Sequence, residues 1–252
     1  MKSNEYSKSS LNNLNTDNFK IQNIDVLVLY KDIKNIHLSV LPPDGAVRVS
    51  APLLMRKDIV RVYTISKLSW IKKQREKFKK QEREPKREFL DRESHYLFGK
   101  RYLLKIINTD SKPLIKLKQN HIEAYYSIDL SKKEIKSMFD EWYRNELYKK
   151  SEKLITQAMK TMDVSDIEFS IRKMKTRWGS YIPSKRKIWL NLELAKKPVE
   201  CLEYIIYHEL THSFEKNHNQ KFKSILSHYL PNWKELRKKL NKLPISHVDW
   251  EY

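Results

Sequence analysis

Two histidines in the last fifth of the chain stand four positions apart, with a glutamate directly after the first. They are His208 and His212, with Glu209 between them, and His218 follows six residues later. Residues four apart on a helix project from the same face, so both imidazoles can bind one metal ion. His218 would complete three protein ligands and leave a fourth position open, as in catalytic zinc sites. Glu209 would then act as general base towards a water molecule. The pattern therefore predicts a zinc hydrolase.

Apolar residues upstream of the motif predict that its helix is buried. Leu202, Ile206 and Leu210 recur every four residues and form one packed stripe. Pro198 suits the first turn of this helix, because its missing N–H would have no partner there anyway. We expect Asn217 to end the helix in a left-handed conformation and Asn219 to cap the next one. A turn between the two helices would return His218 to the metal.

The same histidine spacing occurs in the metzincin pattern, H-E-x-x-H-x-x-G-x-x-H. Two features of this chain depart from that pattern. Glu215 stands at the glycine position, and no methionine follows His218. The sequence therefore does not predict a metzincin.

A series of further motifs surrounds the histidines in a fixed order. The series comprises Met174-Lys175-Thr176-Arg177-Trp178-Gly179-Ser180, Ile188-Trp189-Leu190-Asn191, Tyr207-His208-Glu209-Leu210-Thr211-His212, Asn217-His218-Asn219 with Phe222, and Tyr229-Leu230-Pro231. This series resembles the YgjP-like metallopeptidase domain family, most closely over residues 165–242 and more weakly towards the N-terminus. Tyr181 stands where that family usually has a cysteine.

The resemblance implies a gluzincin-like zinc peptidase core. It implies that His208, His212 and His218 bind zinc and that Glu209 is the general base. It does not settle which bond is cleaved, so a peptide or protein is the expected substrate and other substrates stay open.

Arg177 and Asn191 are candidate substrate contacts. Arg177 can stabilise an oxyanion or bind a phosphate, and a structural ion pair is an equal alternative. We expect Trp178 to anchor a loop or the core. The strand from Ile188 to Leu192 is a candidate edge strand that would align a peptide beside the catalytic helix, with a core strand as the alternative.

The rest of the chain predicts an α+β fold in three parts. Residues 1–18 are rich in Ser and Asn and predict a disordered tail. Residues 19–130 predict mainly antiparallel strands and a long basic helix over 56–84 that Pro85 ends. Residues 131–252 predict a zincin-like core, with the motif helix packed on a small sheet. This part opens with a long helix that Ser131 and Glu134 cap as a capping box.

Composition limits the compartment and the partners. Residues 1–18 lack the apolar segment of a secretory signal, no apolar run could span a membrane, and a single cysteine cannot form an internal disulfide, which together favour the cytoplasm. The oligomeric state stays open.

Net charge leaves two further functions open. It is +20, and residues 72–87 contain nine basic and three acidic residues. One alternative is a nucleoside triphosphate hydrolase in which Lys175 and Arg177 bind phosphate. The other is a DNA-associated protein that uses the basic surface. A solvated, lysine-rich surface is the favoured explanation of the charge, because no nucleic-acid motif accompanies it.

Overall fold

The computed structural model describes residues 16–41, 45–80, 87–174 and 177–244. These residues form two compact units, one within 1–82 and the other within 83–247. The boundary that the sequence predicts, between 130 and 131, falls inside the second unit. The reason is that the strands between 94 and 126 share one core with the long helix and the histidine-bearing helix. Residues 1–15 of the predicted tail lie outside the described residues, and 16–18 belong to a strand.

The first unit is a four-stranded sheet followed by two helices. Its strands are β1 (Thr16–Ile21), β2 (Ile24–Lys31), β3 (His37–Leu41) and β4 (Ala46–Pro52), in the order β1-β2-β4-β3. The outer pairs are antiparallel and the central pair, β2 with β4, is parallel. The apolar run of β2 and the alternation of apolar and polar residues in β3 and β4 predict these three strands correctly. In β2 and β4 the residues of one face are buried.

The predicted single helix over 56–84 is two helices in the structure. They are α1 (Lys57–Ser66) and α2 (Leu68–Lys80), and Lys67 interrupts the helical conformation. Near this break the Ser66 hydroxyl donates a hydrogen bond to the Tyr63 carbonyl. Such side-chain bonds compete with the regular helical pattern, which apolar periodicity does not register. The predicted stop at Pro85 lies outside the described residues.

The second unit begins with a sheet of the same topology. Strands β5 (Ser94–Leu97), β6 (Lys100–Asn108), β7 (Leu114–Leu117) and β8 (His121–Tyr126) are ordered β5-β6-β8-β7, again with antiparallel outer pairs and a parallel centre. A helix again follows, α3 (Lys132–Met162), and the predicted capping box of Ser131 and Glu134 is present. One strand and helix pattern therefore occurs twice in this chain.

The C-terminal part of the second unit carries the series of motifs on a small sheet and three helices. The sheet comprises β9 (Glu168–Arg172), β10 (Gly179–Ile182) and β11 (Lys187–Asn191), in the order β10-β11-β9. The helices are α4 (Val199–Thr211), α5 (Gln220–Tyr229) and α6 (Trp233–Lys242). The predicted α+β class is thus confirmed. No described helix is long and apolar enough to span a membrane.

Candidate metal centre

Helix α4 carries the first two histidines and the glutamate. Its stripe of Leu202, Ile206 and Leu210 is fully buried in the core, which fixes the rotation of the helix. The helix ends at Thr211, with His212 as its cap. The prediction that Asn217 ends the helix is therefore wrong. The chain turns earlier, and the Ser213 hydroxyl bonds to the carbonyl of Leu210 at this end.

A short turn brings His218 back to α4. Asn219 then caps α5 as predicted, and its side chain accepts a hydrogen bond from the backbone N–H of Phe222. One ring nitrogen from each of His208, His212 and His218 lies within 4.8 Å of the others. The Nε2 atoms of His208 and His218 are 2.9 Å apart. Two nitrogens on one tetrahedral zinc ion lie roughly 3.3 Å apart, given Zn–N bonds of about 2.0–2.1 Å.

Phe222 forms the apolar floor of this cluster. The centroid of its ring lies 5.0 Å from that of His208, 4.8 Å from that of His212 and 4.7 Å from that of His218. Contacts with one fixed ring restrict the orientation of all three imidazoles. Helix α5 therefore positions the histidines, and His218 lies directly before its cap, Asn219.

Burial favours the neutral form of two of the histidines, which is the form that can bind a cation. Burial, with smaller contributions from His212 and His218, lowers the pKa of His208 to about 3. Burial also lowers the pKa of His212. Nδ1 of His212 lies 3.1 Å from the carbonyl oxygen of Glu215, which places its proton there and leaves Nε2 unprotonated. Neutral imidazoles at neutral pH are the donor set that a divalent metal requires, so the residues present fit a bound metal.

Glu209 lies beside the histidines and is 5% exposed. Burial raises the pKa of its carboxyl to about 7, while a backbone hydrogen bond from Tyr181 and the charge of Arg177 act in the opposite direction. A carboxyl group poised near neutral pH is suited to accept and return a proton.

Gly179 is a site residue that the sequence analysis did not assign. A Cβ atom on Gly179 would lie 2.7 Å from Oε1 of Glu209 and 2.9 Å from its Cγ. Only glycine therefore lets strand β10 approach the carboxylate this closely. A contact between positions so distant in the sequence leaves no local pattern by which to predict it.

The predicted substrate contacts differ in their surroundings. Arg177 is exposed at the surface, and its charge acts on Glu209. Asn191 is 5% exposed, and its amide nitrogen donates to the carbonyl oxygens of Met174 and Arg177, each at 2.8 Å. Its side-chain oxygen accepts from the backbone of Glu193. These bonds hold both ends of the segment that carries Arg177, and substrate contact by either residue stays a prediction. Trp178 is partly buried and packs against the core, as expected for an anchor.

The strand predicted to align a peptide is not at the edge of its sheet. Strand β11 lies between β10 and β9, so its backbone is hydrogen-bonded on both sides. The edge-strand alternative is therefore wrong, and the core-strand alternative is confirmed. The edge strand near α4 is β10, which contains Gly179. Strand order depends on pairing between distant segments, which an apolar run such as Ile188–Leu190 does not reveal.

A model of the YgjP-like metallopeptidase domain family matches residues 34–243. The chain belongs to this family. The match begins within the first unit, after β2, and includes every histidine of the cluster. The YgjP-like chain is therefore a metallopeptidase-family protein, as the motif series predicts.

Two solved structures are similar to parts of this YgjP-like protein. One is the metallopeptidase zymogen jannalysin of Methanocaldococcus jannaschii, with 26% identity over 36% of this chain and 92% of that chain, and a TM-score of 0.33. The other is the metallopeptidase zymogen abylysin of Pyrococcus abyssi, with 22% identity over 39% of this chain and 99% of that chain, and a TM-score of 0.35. No curated protein matches the sequence.

Proposed function

We propose that this protein is a zinc-dependent peptidase in which His208, His212 and His218 bind the metal and Glu209 is the general base. The observation that carries the proposal is the convergence of three imidazoles, with the buried carboxyl group of Glu209 directly after the first of them on α4. Three histidines with one open position are typical of catalytic zinc sites. Membership of a metallopeptidase family supports the peptide bond as the one cleaved.

Each residue of the site has a distinct task in this proposal. Zinc, when bound, would polarise the scissile carbonyl group and acidify a water molecule. Glu209 accepts the proton of the attacking water on its carboxylate and returns it to the leaving amine. Gly179 and the backbone N–H of Tyr181 keep that carboxylate in place.

Strand β10 offers a backbone edge for the substrate. It pairs only with β11 among the described strands, so no described strand occupies its other edge, where the backbone N–H of Tyr181 bonds to Glu209. Addition of a peptide strand would supply backbone hydrogen bonds beside Glu209 without requiring a particular sequence. We therefore propose that β10, and not β11, aligns the peptide substrate.

Phosphoanhydride hydrolysis is the second candidate, and the position of Arg177 favours it. An exposed guanidinium whose charge reaches Glu209 can bind a phosphate group near the metal. Lys175, the other predicted phosphate ligand, lies outside the described residues.

Nucleic-acid binding has only the net charge of +20 to support it. The cytoplasm remains our proposed compartment, because the single cysteine, Cys201, is buried and free.

Metal removal with a substrate panel tests the proposal. Purified protein is incubated with unfolded casein and, in parallel, with nucleoside triphosphates, before and after treatment with a chelator. We expect new peptide amino groups from casein, loss of this activity with chelator, and recovery when zinc is added. Metal-dependent release of phosphate or pyrophosphate without peptide cleavage would overturn the peptidase proposal and favour the second candidate.

A further inference from the structure

A groove of about 680 Å³ lies between helices α5 and α6. One stripe of α5 forms its first wall, with Gln220, Lys223, Ser224 and Ser227. Trp233, Lys234 and Arg237 of α6 form the second. Trp233 is buried, and its indole N–H donates to the Ser227 hydroxyl at 2.8 Å, which ties the two helices together at the base of the groove.

The groove is positively charged and contains no acidic side chain. Its three cations are Lys223, Lys234 and Arg237, and none of them forms an ion pair with a carboxylate of the described residues. The neighbouring Lys239, on another face of α6, does pair with Glu200. Cations that converge on a concave surface with a low-dielectric wall concentrate positive potential there. Hydroxyl and amide groups of the same walls supply further hydrogen-bond donors.

The groove adjoins the metal centre through both of its helices. Lys223 directly follows Phe222, whose ring packs against all three histidines. Helix α6, which carries Arg237, packs against α4, the helix of His208. A substrate bound at the histidines therefore has a cationic groove beside it.

We propose that this groove binds an anionic side chain of the peptide substrate, a carboxylate or a phosphate group. Lysine and arginine form charge-assisted hydrogen bonds with either oxyanion, and the serine hydroxyls complete its coordination. The groove would thereby favour acidic segments next to the scissile bond. This inference rests on the proposed peptidase function, because it names a substrate class for that site.

Peptide binding tests the groove separately from catalysis. Three labelled, alanine-rich decapeptides carry glutamate, phosphoserine or glutamine at the same two positions. Their affinities are measured by fluorescence anisotropy with the zinc-loaded full chain carrying Glu209→Gln, so that binding does not depend on turnover. We expect the glutamate peptide to bind roughly fivefold more tightly than the glutamine peptide, as two partly exposed ion pairs would give. High salt should reduce the difference.

Two sets of lysine substitutions locate the effect. Lys223→Ala combined with Lys234→Ala removes two charges of the groove, and we expect the preference for an anionic peptide to disappear. Lys238→Ala removes an exposed charge of α6 outside the groove and should preserve the preference. Whichever of the glutamate and phosphoserine peptides binds more tightly identifies the anion that the groove prefers, a carboxylate or a phosphate group.

The inference is overturned if all three peptides bind equally, or if the preference survives the double substitution. Hydrolysis assays with the unsubstituted protein separate this outcome from failure of the proposed function. Cleavage of all three peptides at equal rates would contradict the proposed role of the groove and leave the peptidase proposal intact. A preference in binding without any peptide cleavage would contradict the peptidase proposal alone.

Discussion

Gly179 shows how one missing side chain can determine the position of a catalytic group. Strand β10 passes so close to Glu209 that a methyl group would lie 2.7 Å from its carboxylate oxygen. The adjacent backbone N–H of Tyr181 also binds this carboxylate. The segment from Gly179 to Tyr181 therefore contacts Glu209 through its backbone. A main-chain contact at position 181 explains why tyrosine can stand there in place of the cysteine.

Substitution of Gly179 by alanine should impair catalysis more than folding. The added methyl group would displace the Glu209 carboxylate, and a shift of about 1 Å in a catalytic group costs about 100-fold in rate. Overpacking would lower the free energy of unfolding by about 1–3 kcal/mol. Peptide hydrolysis, zinc content and thermal unfolding measure the three effects. Ser180→Ala, on the opposite face of β10, is the matched control, and unchanged hydrolysis by Gly179→Ala would argue against this role.

At the scale of elements, the end of one helix and the start of the next assemble the metal centre. Helix α4 supplies His208 and ends at Thr211, and α5 begins at Gln220 directly after His218 and its cap, Asn219. The buried stripe of α4 and the ring of Phe222 on α5 fix both helices against the histidines. The third ligand therefore depends on the stability of the first turn of α5.

Loss of the Asn219 cap should weaken metal binding as well as stability. Asn219→Ala removes the acceptor for the Phe222 N–H and should lower the free energy of unfolding by about 1 kcal/mol. Zinc affinity should fall roughly tenfold, as for other groups that orient a ligand. Competition with a chromogenic chelator measures it. Ser131→Ala, which removes the cap of α3, is the control: it should lower the free energy of unfolding by a similar amount and leave zinc affinity unchanged. An equal loss of zinc affinity in both variants would refute the dependence of zinc binding on the cap of α5.

Sequence patterns predicted the elements of this fold better than their arrangement. Local signals sufficed for β2 to β4 and the capping box of α3, because alternation and capping depend on neighbouring residues. They also predicted which histidines would meet, since the helix brings His208 and His212 together. The central position of β11, the contact of Gly179 with Glu209 and the end of α4 at Thr211 depend on distant pairing or tertiary packing.

The whole molecule repeats one topology before it reaches the site. Both compact units contain a four-stranded sheet with antiparallel outer pairs and a parallel central pair, followed by helix. Each sheet contributes to a separate apolar core. Only the second unit contains the three histidines, Glu209 and the groove between α5 and α6. The proposed chemistry and substrate recognition therefore both belong to residues 83–247, and the first unit has no assigned part in either.

The central claim is that Glu209 performs the proton transfer at a metal held by the three histidines. The most direct test compares zinc content and peptide hydrolysis of the unsubstituted protein with those of Glu209→Gln. We predict that the variant keeps one zinc ion per chain, because glutamine leaves the histidines in place, and loses about 1,000-fold in the rate of hydrolysis. Hydrolysis at the full rate by a zinc-loaded Glu209→Gln protein would contradict the account.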